Sequence, residues 1–226
     1  MKKLVLILLV FGIGSTLSFA QTKKAAAVSQ SASKSIAMQS LDGSPTTKGK
    51  WLVGPSISII STSQDDGTNV FKTSSLGFQP EVGYFIKDQL SIGLAVGLGT
   101  YQTKQDGTAE EKNSSFFVAP TLRYYLPISP KFHFLGKLEV PFGTRKTTLS
   151  GGVDVDIKST SLGVKAIPAF AFFPSGKISI EMSLGNLYFK SEKQGDKTDN
   201  SFGFALLDQT NYEGMPSLGV KWHLGK

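Results

Sequence analysis

The amino-acid sequence predicts an all-β protein, an eight-stranded antiparallel up-and-down transmembrane β-barrel, on three observations. From Trp51 onward large apolar residues recur at every second position, which is the period of a β-strand. The positions between them carry Gly, Ala and Ser with a few long ionic side chains, where a strand wetted on one side would carry a polar row. Short turns alternate with long polar stretches, so the hairpins are tight at one end and long at the other.

The chain begins with Lys2 and Lys3, a nearly all-apolar run from Leu4 to Ile13, and the small-x-small site Ser18-Phe19-Ala20. This is the pattern of a secretory signal peptide over residues 1–20; its apolar run is short for a membrane span. There is no Cys, so disulfides, thiolate metal sites and a lipidation cysteine are excluded. Residues 21–50 are rich in Ala, Ser, Thr and Lys without sustained periodicity and are expected to form a disordered periplasmic leader. The barrel is expected over 51–226. Of 24 basic residues two leave with the signal, so 22 face 17 acids. The charges are scattered and form no basic stripe with stacking aromatics, which excludes nucleic acid as a partner.

Eight runs follow in order. The first sets Trp51, Val53, Ile57 and Ile59 against Gly54, Ser56 and Ser58. The second sets Leu76, Phe78, Val82, Tyr84 and Ile86 against Ser75, Gly77, Gln79, Glu81 and Gly83. The third, "LSIGLAVGLGTYQ", is the cleanest: Leu90, Ile92, Leu94, Val96 and Leu98 alternate with Ser91, Gly93, Ala95, Gly97 and Gly99. The fourth sets Phe116, Val118, Leu122, Tyr124 and Leu126 against Ala119, Thr121 and Arg123. The fifth opposes Phe132, Phe134, Leu138, Val140 and Phe142 to His133, Lys137, Glu139 and Gly143, and the sixth opposes Leu162, Val164, Phe170 and Phe172 to Ser161, Gly163, Lys165 and Ala169. The seventh has Ile178, Ile180, Met182 and Leu184 against Ser179, Glu181, Ser183 and Gly185; the eighth has Leu218, Val220, Trp222 and Leu224 against Ser217, Gly219, Lys221 and His223.

Lys87-Asp88-Gln89, Ile128-Ser129-Pro130 and Ser175-Gly176 are the tight turns; residues 63–74, 104–114, 147–158 and 191–200 are the expected long polar loops. The large face cannot point inward, because so many bulky side chains do not fit an eight-stranded cylinder. Gly, Ala and Ser do fit. A soluble two-sheet sandwich would bury the large face but leave Gly, Ala and Ser against water. The large face therefore meets lipid.

Glu81, Glu139 and Glu181 share the small face with Arg123, Lys137, Lys165 and Lys221. In a narrow interior these must pair, since an unpaired buried charge costs several kcal/mol. They are expected to form an interior ion-pair network that plugs the lumen; an ion-filtering constriction is the alternative. Trp51, Tyr84, Tyr124, Phe132, Phe172 and Trp222 fall on the large face near the tight turns, where aromatics gather at a membrane interface. A looser set, Phe116, Phe142 and Tyr188, lies toward the long loops. Pro55, Pro80, Pro120 and Pro168 oppose the assignment, since each removes a ladder donor from a lipid-facing strand.

"PEVGYFIKDQLSIGLAVGLG", "FFVAPTLRYYLPISPKFHFLGKLEVPFG" and the closing "SLGVKWHL" resemble the small outer-membrane protein β-barrel family of Gram-negative bacteria, with its OmpA-type and OmpW-type members. The resemblance covers about Trp51 to Leu224. It implies an outer-membrane location, outer-membrane lipids and lipopolysaccharide as surroundings, insertion by the barrel-assembly machinery, and a monomer. Such barrels typically end on an aromatic residue; here Trp222 is followed by Leu224, Gly225 and Lys226. "FALLDQTNYEGMP" (204–216) exceeds what a last hairpin needs and suggests a bulged strand extension or a small lid.

Catalytic chemistry is poorly supplied. His133 and His223 both fall at strand ends on the tight-turn side, so they fill space there, and a lipid A-modifying enzyme would need its His at the opposite rim. "QDDGTN" (64–69) and "DVD" (154–156) lack full Ca²⁺-ligand spacing. "GLGTYQ" is followed by nothing helical and cradles no nucleotide. "GTRK" (143–146) is a basic strand end near the long-loop rim. The expectation is a non-enzymatic outer-membrane barrel without cofactor or metal, with a side-chain-filled interior and long extracellular loops in a structural or surface role. A narrow porin-like passage is the alternative, ahead of a lipid A-modifying enzyme or a secreted soluble β-sandwich.

Overall fold

The alternation becomes eleven antiparallel segments in a computed structural model that describes residues 44–65, 70–105, 110–150, 155–206 and 216–225. They are β1 (Trp51–Asp65), β2 (Val70–Lys87), β3 (Leu90–Gln105), β4 (Glu110–Ser129), β5 (Phe132–Glu139), β6 (Phe142–Ser150), β7 (Val155–Ser175), β8 (Ile178–Ser183), β9 (Gly185–Gln194), β10 (Lys197–Leu206) and β11 (Ser217–Leu224). All lie in the unit Asp42–Lys226. The expected signal peptide and the leader as far as residue 43 lie outside the described residues.

Consecutive segments pair as hairpins from β1 to β4. β4 then pairs β5 toward the tight turns and β6 toward the other end. β7 pairs β5 and β6 on one side, β8 and β9 on the other. β10 pairs β9, and β11 pairs both β8 and β1. Across the break at Val140–Pro141 the register is kept: Thr121↔Glu139 is followed on β4 by Val118↔Phe142, and Glu139↔Lys165 on β7 by Phe142↔Leu162. At Leu184 it slips by one residue, from Ala169↔Ser183 to Ala166↔Leu187, the signature of a bulge.

The prolines fall where the ladder is already interrupted. Pro55 and Pro80 stand opposite each other between β1 and β2, and each loses pairing only on its far side: β1–β11 passes from Val53↔Trp222 to Ser56↔Gly219, and β2–β3 from Phe78↔Leu98 to Glu81↔Ala95. Pro120 and Pro168 face the two breaks, and their carbonyls accept from the Val140 and Leu184 backbone N–H groups. A proline at such a gap removes no bond that the sheet would otherwise make.

The stretches expected as long loops are mostly strand. β1 and β2 pair as far as Asp65↔Val70, β3 reaches Gln105 opposite a β4 that starts at Glu110, and β6 and β7 extend to Ser150 and Val155. β9 and β10 are joined by the two-residue turn Gly195-Asp196, where Gly195 has φ +58°, a conformation that glycine adopts without strain. Beyond the apolar region Ser, Thr and Lys occupy both faces, so the contrast that marks a strand vanishes while cross-strand pairing continues. The eight runs also omit β10, whose Phe202 and Phe204 stand opposite Phe189 and Leu187. Of the 204–216 stretch, residues 207–215 lie outside the described residues, as do 66–69 of "QDDGTN" and Asp154 of "DVD".

Burial follows the two faces. Ile92, Leu94, Leu122, Leu138, Val164 and Met182 are exposed, whereas Ala95, Ala119, Ala169 and Ala171 are buried. Tyr188 turns to the small face, opposite Gly203. At the tight-turn end five bulky residues break the rule: Leu52, Phe85, Tyr125, Leu135 and Phe173 are buried and form one cluster with Ala169 and Ala171. Residues 44–50, expected within the leader, are folded against this end. Gly49 N–H donates to the Phe85 carbonyl, Phe85 N–H to the Lys50 carbonyl, and Gln89 N–H to the Thr46 carbonyl at 2.7–2.9 Å. Lys50 Nζ reaches back to the Ser44 carbonyl at 2.9 Å, and Thr46 is 1% exposed.

Candidate functional site

On the small face, side chains from segments far apart in the sequence converge in layers. The layer at the tight-turn end is aromatic. The Phe173 ring lies 4.7 Å from His133, 5.2 Å from His223 and 6.2 Å from Tyr125, and Phe85 lies 5.7 Å from Tyr125 and 5.8 Å from His223, measured between centroids. Both histidines are therefore packing partners of one phenylalanine. Ser179 Oγ and His223 Nε2 are 2.9 Å apart, a spacing that also suits a nucleophile and its base. Both residues are sealed from solvent, at 0% and 2% exposure, and the neighbouring acid Glu181 accepts from the Ser179 hydroxyl at 3.4 Å. The pair is structural.

The next layer is ionic and centred on Arg123 of β4. Its Nε donates to Glu81 Oε1 of β2 at 2.6 Å, and its Nη2 donates to the other oxygen of the same carboxylate. Nη1 donates to Glu181 Oε2 of β8 at 2.7 Å and to Tyr125 Oη at 3.0 Å. Tyr125 Oη in turn donates to Glu181 Oε1 at 2.8 Å. Thr121 Oγ1 donates to Glu81 Oε1 at 3.0 Å. Lys137 of β5 pairs with its neighbour Glu139 and lies 3.2 Å from Glu81; Gln79 Nε2 donates to Glu139 at 2.7 Å. Lys221 of β11 is 3.7 Å from Glu81 and donates to the Gly54 carbonyl at 2.8 Å. That carbonyl lies in the ladder gap beside Pro55, so the proline break presents an acceptor to the buried ammonium.

Six of the seven ionic residues expected on this face thus share one network, three acids against three bases. Lys165, the seventh, stands opposite Glu139 in the register and holds its ammonium 5.8 Å from the centroid of the Phe117 ring. Bidentate guanidinium–carboxylate pairing, with the remaining oxygens hydrogen-bonded, is the arrangement that offsets the cost of desolvating such charges. Above the network is a cavity of about 100 Å³ whose lining includes Gln79, Lys137, Glu139, Lys165 and Asn186.

The six aromatics expected at an interface are exposed on the opposite face. Trp51 stands opposite Tyr84, with ring centroids 5.1 Å apart, and Phe132 opposite Phe172. Sequence reasoning passed over the aromatic floor, although the signal was present. At Trp51-Leu52, Tyr84-Phe85, Tyr124-Tyr125, Phe134-Leu135 and Phe172-Phe173 two bulky residues are adjacent, so one of each pair must turn inward. Among the described residues no group of three His, Cys, Asp or Glu is placed to hold a metal ion.

No curated protein matches the chain significantly. Among solved structures it is similar to Ail, the attachment invasion locus protein of Yersinia pestis, at 15% identity and a TM-score of 0.45, over 79% of this chain and 100% of that one. It is similar to Neisserial surface protein A at 14% identity and a TM-score of 0.41, over 77% and 97%. It is also similar to the outer membrane protein OprG of Pseudomonas aeruginosa at 13% identity and a TM-score of 0.40, over 81% and 100%. The family model of the outer membrane protein beta-barrel domain matches residues 24–207, and the chain belongs to that family.

Proposed function

We propose that the chain is a non-catalytic, non-conducting outer-membrane barrel of eight crossing strands, related to the OmpA-type and OmpW-type barrels, with a structural or surface role. In this reading β5 with β6, interrupted at the proline gap, β8 with β9, interrupted at the bulge, and β10 with β11, on either side of residues 207–216, are three strands. The unbroken register across Val140–Pro141 and the pairing of β11 with both β8 and β1 support closure. Trp51, Tyr84, Tyr124, Phe132, Phe172 and Trp222 form the interfacial girdle on the periplasmic side, and the chain is inserted by the barrel-assembly machinery. Extended hairpins, in place of long loops, project outward beyond the lipid.

The observation that carries the reading is the Arg123 network. Side chains from β2, β4, β5, β8 and β11 meet at hydrogen-bond or ion-pair distance, which occupies the cross-section of so narrow a lumen. The aromatic floor and residues 44–50 close the tight-turn end behind it. Planar-bilayer recording of the purified chain tests this: the expected result is no unitary conductance. A steady ohmic conductance of wild-type protein would favour the porin-like passage.

A further inference from the structure

The exposed face changes character in the same way on five segments. Reading away from the tight turns, an exposed apolar residue is followed, two positions on, by Ser or Thr and, two further on, by Lys. The sets are Leu76-Ser74-Lys72 on β2, Phe116-Ser114-Lys112 on β4, Phe142-Thr144-Lys146 on β6, Leu162-Thr160-Lys158 on β7 and Phe189-Ser191-Lys193 on β9. β3 follows with Leu98-Thr100-Gln102-Lys104. All six lysines are exposed.

The register brings them side by side. Lys72 stands directly opposite Lys104, and Lys146 directly opposite Lys158. Like charges facing across a strand pair are destabilising in water. Asp156, 2.9 Å from Lys146, offsets part of one pair. Lys146, Lys158 and Lys193 line a surface groove of about 660 Å³ with Ser114, Thr144 and Thr160, and Lys72 and Lys104 line another of about 410 Å³.

We propose that this row of lysines binds the phosphate groups of an outer-leaflet lipid, the phosphorylated saccharide headgroup of lipid A, whose acyl chains lie on the apolar residues below. Continuity with the apolar face selects a lipid over a free polyanion. Four residues at about 3.3 Å each, on a strand tilted by about 40°, place the lysines roughly 10 Å beyond the acyl region. Their flexible stems reach back to the phosphate level, and the intervening Ser and Thr hydroxyls face the saccharide. The proposal rests on the membrane reading of the exposed face.

The test uses the full mature chain in detergent micelles, with bisphosphorylated lipid A, the same lipid dephosphorylated, and inorganic phosphate as probes. The triple variant K146Q/K158Q/K193Q is compared with K87Q/K131Q/K177Q, which removes exposed charges at the tight turns. With a contribution of about a fivefold factor per lysine near an anionic surface, binding of bisphosphorylated lipid A falls roughly a hundredfold in the first triple variant. The second triple variant binds like wild type, and wild type discriminates against the dephosphorylated lipid to a similar degree. Equal binding by the first triple variant, equal loss in the second, or competition by inorganic phosphate at lipid concentrations overturns the proposal. A wild-type chain that stays monodisperse without detergent overturns the membrane reading itself, whereas heat-modifiable gel mobility with no lipid preference overturns the lysine site alone.

Discussion

Replacing Arg123 by Met removes the centre of the ionic layer while keeping much of its volume. Arg123 makes four hydrogen bonds, two to Glu81, one to Glu181 and one to Tyr125. The two carboxylates differ in what remains. Glu81 keeps Thr121, with Lys137 at 3.2 Å and Lys221 at 3.7 Å. Glu181 keeps hydroxyls, from Tyr125 at 2.8 Å and Ser179 at 3.4 Å, and becomes a buried charge without its cation. Breaking a buried pair from one side costs about 3–5 kcal/mol, so the variant unfolds in urea at a free energy lower by that amount, measured in lipid vesicles by tryptophan fluorescence. Neutralising the stranded acid with E181Q in the same chain restores most of the loss, because the remaining Glu81, Glu139, Lys137 and Lys221 balance. A loss below about 1 kcal/mol for R123M, or a double variant no better than the single, would refute the premise that Arg123 is the obligatory counter-charge of Glu181.

Leu94 is exposed midway along the apolar face of β3, so L94R is expected to cost about 2–4 kcal/mol in vesicles; a surface in contact with water would tolerate it with almost no change. Truncating Phe173, which touches both histidines and Tyr125, to Ala is expected to cost about 3–5 kcal/mol, read in the same titration. Y125F removes the donor to Glu181 and an acceptor of Arg123 and is expected to cost about 1–3 kcal/mol. A Cβ at Gly97 meets the ring of Phe117, its cross-strand partner, so G97V is expected to slow the appearance of the compact form on unheated gels.

Much of the site was legible because alternation is a local property. Glu81, Arg123, Lys137, Glu139, Glu181 and Lys221 could be placed on one face from their own neighbours alone. The expected loops were misread for the same reason: past Thr100 or Thr144 both faces are polar, and the pattern has nothing left to contrast. The doubled bulky residues at the tight-turn end carried the buried floor in plain view, masked by the exposed aromatics beside it. The prolines, which looked like an objection, needed only knowledge of which ladder bonds were already missing.

By itself the sequence determined the period of two and the assignment of each side chain to a bulky or a small face, since these depend on residues one or two places apart. Only the tertiary structure decided which charges meet. Arg123 reaches Glu81 and Glu181 from positions 42 and 58 residues away, and their meeting is set by strand register and by the pairing of β11 with both β8 and β1. A single bulge at Leu184, or a proline gap that frees the Gly54 carbonyl for Lys221, shifts those partners without altering the alternation at all.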